Sequence, residues 1–141
     1  KMTPQKQMFL HDPDNGVWGD CQRTAIACIL DRDVEDVPHF FHDGCDGKTA
    51  DKRIDDWLAM LNLKMVFVPF VGVDLKDVLD LQKRFQPDLH YILVGKSKTG
   101  VAHCVVCKDD EIIHDPSLTE SGITGPTDEG VYWVQFLGVR V

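Results

Sequence analysis

The spacing of apolar positions along the chain changes near Leu89. Before it, apolar residues recur at helical spacing or fill a helix on every side; after it, they form short runs separated by turn residues, which is typical of β-strands. Helices followed by mainly antiparallel strands are an α+β order. With 141 residues, of which 43% are hydrophobic, the chain can bury one core, so a single domain over residues 1–141 is predicted.

Three helices are predicted, each with its own boundary signals. The first opens at Cys21 and carries the apolar run Ala25–Leu30. The second is expected to be capped by Thr49, and the third to begin at Asp74. A short helix or turn ending at Gly44 is expected between the first two.

Five strands are predicted from β-type runs that turn residues separate. One strand precedes the third helix and four follow it. Their predicted bounds are Lys64–Phe70, Leu89–Gly95, Val101–Cys107, Glu111–His114 and Val131–Val139. Most of the sheet is therefore expected to come after the helices.

Two segments are expected to be irregular. Residues 1–14 are polar and contain two prolines, which predicts an extended lead-in; Lys1 before Met2 suggests a remnant of an expression tag. Residues 117–130 are interrupted by Gly122, Gly125 and Pro126. Because long loops in small domains often cover binding sites, a lid is expected there.

Cys21 carries the clearest chemical signal. Gly16 and Gly19 permit an irregular approach to the helix, and Asp20 is a good N-cap residue, so the thiol falls at the first helical position. Free backbone N–H groups and the helix dipole favour a thiolate there, which a nucleophilic cysteine needs. The alternative is a buried structural cysteine, because free cysteines are among the most buried residues.

A predicted hairpin gives the second signal. If a three-residue turn is centred on Asp109, His103 stands directly opposite Asp115, whereas a shift of one residue would put Asp115 on the other face. A carboxylate beside His103 would orient its ring and fix its tautomer. His114 is a weaker candidate base, because strand alternation turns it away from the face of Asp115.

In their order, these motifs resemble the papain-like cysteine peptidases. Gly19-Asp20-Cys21 opens an apolar helix, Gly100-Val101-Ala102-His103 leads a strand, and a later strand ends in His114-Asp115-Pro116. The closest resemblance is to the branch that contains the bacteriocin-leader peptidases. The segments Val34–Phe40 and His114–Ser117 also resemble small proteins of bacteria and their phages.

That resemblance implies a papain-like fold and a hydrolase that acts on a peptide, protein or small amide without a cofactor. Cys21 would be the nucleophile, His103 the proton carrier and Asp115 the residue that orients the imidazole. The oxyanion would lie between the Cys21 backbone N–H and the amide of Asn15, which stands six residues before Cys21, where the family has Gln. Gln7 is a weaker substitute as the oxyanion donor, because it lies outside that spacing.

The same resemblance makes Trp18, Gly19 and Ala102 candidates for the substrate cleft. For Trp18, packing beneath the helix is an equal alternative. A rival function also stays open: a papain-like shell without catalysis, as in a phage protein that captures a host protein or a small molecule.

Charge and composition exclude several partners. Fifteen basic and 23 acidic residues give a net charge of −8 without a basic stripe, so nucleic acid is not expected. No apolar run reaches the length of a membrane span and no secretion signal is recognisable, which favours the cytoplasm of a bacterium or of a phage-infected cell. The five cysteines are an odd number and are expected to be reduced.

Two further groups have metal-ligand chemistry. His39, His42 and Cys45 match no structural zinc pattern, so no metal site is predicted, although a metalloprotein built on them is another rival class. Cys104 and Cys107 form a Cys-x-x-Cys. On a strand their side chains point to opposite faces, which argues against a shared redox site.

Overall fold

The computed structural model describes residues 2–141; Lys1, and with it the suggestion of a tag remnant, lies outside the described residues. Short 3₁₀ turns occur at Pro13–Asn15 and Val34–Asp36. The helices and strands follow in the order α1 Cys21–Leu30, α2 Gly47–Met60, β1 Leu63–Val71, α3 Leu75–Phe85, β2 His90–Lys96, β3 Ala102–Lys108, β4 Glu111–His114 and β5 Val131–Val139.

The predicted α+β class is confirmed. The five strands form one antiparallel sheet in the order β1-β5-β2-β3-β4. β4 and β5 have the predicted bounds, and the other three strands differ from theirs by one residue at each end. β5 therefore lies between β1 and β2, although it follows every other strand in the chain.

Helices cover both faces of the sheet. On one face α1 and α2 bury a cluster that includes Ile26, Ile54 and Val106. On the other face Val78 of α3 packs in a second cluster with Tyr91 of β2. Each such side chain contributes about 1.5–3 kcal/mol on burial. None of the helices within residues 2–141 has the length and apolar character needed to cross a membrane.

Alternation along β3 divides its cysteines between these layers. Cys104 belongs to the cluster under α1 and α2, and Cys107 to the cluster under α3. The two residues of the Cys-x-x-Cys therefore face opposite sides of the sheet, as the strand period requires.

The starts of the helices correct two sequence predictions. α2 is capped by Asp46, whose Oδ1 accepts from the Thr49 N–H at 2.8 Å, so the prediction that Thr49 is the cap is wrong. Asp20 does precede α1, but its carboxylate does not cap the helix; it accepts from the N–H groups of Met8 and Phe9 instead, at 3.1 and 2.9 Å.

Asp20 and Arg23 form a buried ion pair at the start of α1. Arg23 Nε lies 2.9 Å from Asp20 Oδ2, and the two residues are only 8% and 1% exposed. Arg23 Nη1 also donates to the Val37 carbonyl at 3.1 Å. Because breaking a buried pair leaves an uncompensated charge, these contacts fix the entry to α1 against the segments on either side of it.

The lead-in is irregular and ends in the 3₁₀ turn at Pro13, close to the prediction for residues 1–14. The Gln7 N–H donates to the Pro116 carbonyl at 2.8 Å, and Lys6 Nζ donates to the Asp115 and Ser117 carbonyls at 2.9 and 3.0 Å. The Thr3 N–H donates to the Cys28 carbonyl, near the other end of α1. The lead-in therefore joins α1 to the loop that follows β4.

Asp20→Asn should destabilise the fold. We expect a loss of about 3 kcal/mol in the free energy of unfolding, because Arg23 would stay buried without a countercharge. Urea titration followed by circular dichroism measures the change. The matched control is Asp56→Asn, which breaks an exposed pair with Lys52 and should cost less than about 1 kcal/mol. Equal losses in the two variants would contradict a special role for the buried pair.

Candidate functional site

Cys21 lies beside β3, past the point where β4 stops pairing with that strand. β4 pairs with residues 106–108, and Cys21 meets β3 at Cys104. The partly exposed Cys21 thiol interacts with the Cys104 side chain, the His103 imidazole and the Cys104 backbone N–H. These hydrogen bonds, led by the one to the Cys104 side chain, outweigh burial and hold the Cys21 pKa well below its usual value. The lowered pKa favours the thiolate form of Cys21.

His103 stands between this thiol and a carboxylate. The residue is 5% exposed, and its Nε2 lies 2.6 Å from Asp115 Oδ1, which leaves Nδ1 for Cys21. Burial disfavours the charged ring, but the hydrogen bonds to Asp115 and Cys21 and the charges of both raise the pKa of His103 to about 9. At neutral pH the ring is therefore an imidazolium.

Asp115 is fixed by the loop that follows it. Oδ1 accepts from the Ser117 N–H at 2.9 Å, and Oδ2 accepts from the Gly122 N–H at 2.8 Å. Burial would raise the Asp115 pKa, but the hydrogen bonds from His103, Ser117 and Gly122 lower it to about 2. The first part of the predicted lid thus wraps the carboxylate, while its role as a lid stays a prediction.

The hairpin register differs from the predicted one. Lys108 pairs with Glu111 across a two-residue connection, and a bulge then brings Val106 opposite His114. The prediction that a three-residue turn places His103 and Asp115 opposite each other within the ladder is wrong. Asp115 instead reaches His103 from beyond the end of β4, so the contact arises from loop geometry rather than from strand pairing.

His114, the weaker candidate base, is held away from the thiol. Its Nε2 donates to the Gln5 carbonyl at 2.6 Å. The imidazole thus anchors the lead-in.

The amide of Asn15 is already engaged. Asn15 is exposed on the 3₁₀ turn, and its Nδ2 donates to Asp12 Oδ2 at 2.7 Å. This contact gives the predicted oxyanion role of Asn15 no support.

Gln7, the weaker substitute by sequence spacing, lies nearer the start of α1 than that spacing indicates. It is 8% exposed, and its Nε2 donates to the Phe9 carbonyl at 2.6 Å and would lie 3.3 Å from a Cβ added at Gly19. Its Oε1 is buried without a hydrogen-bond partner among the described residues. The bridge between Asp12 and Val17 turns the intervening chain back on itself. A buried amide therefore comes close to the start of α1 from far outside the expected spacing.

Trp18 and Gly19 form the approach to the thiol. The Trp18 ring covers Gly44, where an added Cβ would come within 2.4 Å of the indole, and the Trp18 carbonyl accepts from His39 Nε2 at 2.9 Å. The Gly19 N–H donates to His11 Nδ1 at 3.1 Å. Trp18 thus packs against the turn before α2.

Ala102 opens onto a cavity on the α1 side of the sheet. The residue is exposed, and with Phe41, Val94 and Trp133 it lines a cavity of about 410 Å³. Ala102 immediately precedes His103 on β3, but strand alternation turns the two side chains to opposite faces, and His103 does not line this cavity.

The residues with metal-ligand chemistry are held apart by other contacts. Among residues 2–141, no group of three or more His, Cys, Asp or Glu side chains is arranged to hold a metal ion. Arg53 Nη1 lies 3.2 Å from Cys45 Sγ and 2.9 Å from Asp43 Oδ1. A cation at this place opposes metal binding by Cys45.

Comparison with known proteins adds no assignment. No family model, no curated protein and no solved structure matches the chain. Its family stays a prediction from the motifs.

Asp115→Asn should raise the pKa of Cys21. Without the Asp115 carboxylate the His103 imidazolium is less stable, so the Cys21 thiolate loses its positively charged partner. We expect the Cys21 pKa to rise by about one unit, which corresponds to about 1.4 kcal/mol. The pH dependence of the rate of Cys21 alkylation by iodoacetamide measures it without a substrate. His103→Ala should give a larger rise, and the control His114→Ala little or none. A profile that moves with His114 but not with His103 would contradict this site.

Proposed function

We propose that the protein is a papain-like cysteine hydrolase that cleaves a peptide or amide bond with Cys21, His103 and Asp115. The observation that carries the proposal is the imidazole held between a thiol and an ionised carboxylate. A thiol hydrolase requires an imidazole between the nucleophilic thiol and a carboxylate, whereas a binding module without catalysis does not.

The proposed reaction begins with the thiolate of Cys21. Its sulfur attacks the carbonyl carbon of the scissile bond, and His103 donates its Nδ1 proton to the leaving amine as the C–N bond breaks. Water then attacks the acyl-enzyme, His103 accepts a proton from it, and the Cys21 thiolate leaves. Asp115 keeps the ring oriented through both steps.

Two donors are proposed for the oxyanion. The backbone N–H of Cys21 lies at the start of α1, where N–H groups lack partners within the helix. The second donor is Gln7, since its buried amide approaches Gly19. Both amide nitrogens already donate one hydrogen bond, Gln7 to Phe9 and Asn15 to Asp12. Asn15 is the weaker candidate, because it is exposed on the 3₁₀ turn whereas Gln7 is buried.

The proposed substrates are peptides, proteins or small amides, and the cavity beside Ala102 is proposed to take part of them. The chemistry uses the chain's own side chains and needs no cofactor. A reducing compartment such as the cytoplasm is proposed, because it would keep the five free cysteines as thiols.

Cys21 should be the most reactive of the five cysteines. Limiting iodoacetamide at neutral pH, followed by peptide mapping, should label Cys21 ahead of the others, because burial raises the pKa of Cys28, Cys45 and Cys107. Preferential labelling of another cysteine would refute the assignment of the nucleophile.

Cleavage itself is tested on a mixture of synthetic peptides of varied sequence, with products identified by mass spectrometry. The wild-type protein should cleave a subset, Cys21→Ala none, and the control Cys107→Ala the same subset as wild type. Gln7→Ala should lower kcat about 100-fold, while Asn15→Ala should stay near wild type. A folded protein with a reactive Cys21 that cleaves no peptide or amide would favour the binding module.

A further inference from the structure

A second thiol, that of Cys104, lies against Cys21; it lowers the Cys21 pKa but forms no bond to the substrate in the proposed hydrolysis. Cys104 is 4% exposed, and its Sγ donates to Gln22 Oε1 at 3.7 Å. Gln22 is the residue after Cys21, so two successive α1 residues meet Cys104. Cys21 packs against the buried cluster that contains Cys104, and the Cys104 side chain and backbone N–H both act on the Cys21 thiol. One β3 residue therefore presents its thiol directly to the proposed nucleophile.

The two thiols are of unlike character. Cys21 is partly exposed and favours the thiolate, whereas the hydrogen bond to Cys21 and burial raise the pKa of Cys104 well above its usual value. Redox-sensing cysteines are accessible thiolates beside a second cysteine that resolves the first oxidation product. Cys21 and Cys104 meet both conditions.

The other cysteines are held elsewhere. Cys28 Sγ contacts the Gln5 carbonyl at 3.9 Å, and Cys45 Sγ donates to the Phe40 carbonyl at 3.4 Å. Cys107 belongs to the cluster on the opposite face of the sheet. Cys104 is thus the cysteine placed to react with an oxidised Cys21.

We propose that hydrogen peroxide converts Cys21 and Cys104 into a disulfide, and that this bond reversibly blocks the nucleophile. The inference adds regulation to the site of the proposed function. It rests on the reactivity of Cys21 and does not require that the protein hydrolyses amides.

The reaction takes place in two steps. The Cys21 thiolate attacks one peroxide oxygen; an S–O bond forms, the O–O bond breaks, and the departing hydroxide takes a proton from the His103 imidazolium to leave as water. Cys104 sulfur then attacks the Cys21 sulfenic acid; an S–S bond forms, the S–O bond breaks, and the hydroxyl leaves as water with the Cys104 proton. The two thiols lose two electrons in total, and peroxide gains them.

The bond also protects the site. A sulfenic acid without a neighbouring thiol proceeds to sulfinic acid, which thiol reductants do not reverse. A disulfide is returned to two thiols by dithiothreitol through thiol–disulfide exchange. Cys104 would thus decide whether oxidation of Cys21 is reversible.

The first test uses the wild-type protein. After treatment with a few equivalents of hydrogen peroxide at neutral pH and blocking of free thiols, a non-reducing digest should contain a peptide linked through Cys21 and Cys104. Dithiothreitol should abolish that peptide and restore alkylation of Cys21. Sulfinic acid at Cys21 without the linked peptide, or a disulfide between other cysteines, would overturn the proposal.

The second test compares Cys104→Ala with its matched control, Cys107→Ala, which removes a buried thiol from the other face of the same strand. Because the Cys104 side chain itself lowers the Cys21 pKa, alkylation after peroxide and dithiothreitol is expressed as a fraction of that in the same variant without peroxide. This recovered fraction should be at least about tenfold lower in Cys104→Ala than in Cys107→Ala. Equal recovery would overturn the proposal. If Cys104→Ala fails to fold by circular dichroism, the linked peptide of the wild-type protein decides alone.

Failure of this inference is distinguishable from failure of the proposed function. A Cys21 that cleaves peptides and is labelled selectively, but forms no bond to Cys104, would refute the redox inference alone. A disulfide in a protein that cleaves nothing would refute the hydrolase alone.

Discussion

The arrangement of the site depends on the buried carboxylate of Asp20, one residue before Cys21. This carboxylate accepts hydrogen bonds from the backbone N–H groups of Met8 and Phe9 and from the guanidinium of Arg23. It therefore connects the lead-in to the start of α1. An acidic residue next to a thiol would ordinarily oppose a thiolate. Here the positive charge of Arg23 compensates the Asp20 carboxylate. The ion pair that positions Cys21 therefore also weakens the repulsion between Asp20 and a Cys21 thiolate.

His103 lies on a stretch of β3 that β4 leaves uncovered, between Cys21 at the start of α1 and Asp115 after β4, and the charges of His103 and Asp115 link the candidate site to the stability of the fold. The pKa of His103 rises from 6.5 to about 9, so its contribution is complete below pH 6.5 and is lost as pH rises towards 9. The pKa of Asp115 falls from 3.8 to about 2, so its contribution is present above pH 3.8 and is lost as pH falls towards 2. Both contributions are therefore complete between pH 3.8 and 6.5, and the His103 contribution declines through neutral pH.

Local patterns predicted most of the fold, because helices and strands are set by nearby residues. For the candidate site, the sequence allowed prediction of the residue types, their order and the contact between His103 and Asp115. The predicted pairing register of β3 with β4 was wrong, because the hairpin has a two-residue connection and a bulge instead of the assumed three-residue turn. Gln7 was ranked below Asn15 because sequence spacing does not record that the bridge between Asp12 and Val17 shortens the path from Gln7 to α1. The contact of Cys104 with Cys21 depends on how α1 docks on the sheet, which no local pattern encodes.

The position of β5 has a consequence for synthesis of the chain. β1 pairs along its whole length with β5, from Leu63 opposite Val139 to Val71 opposite Val131, and β5 also pairs with β2. A nascent chain that has not reached β5 carries β1 without its partner, including the apolar Val66 and Phe67. Pairing over so long a separation is slow, and unpaired apolar strands associate between chains. The ribosome-bound stage is therefore the point at which this protein is most exposed to aggregation.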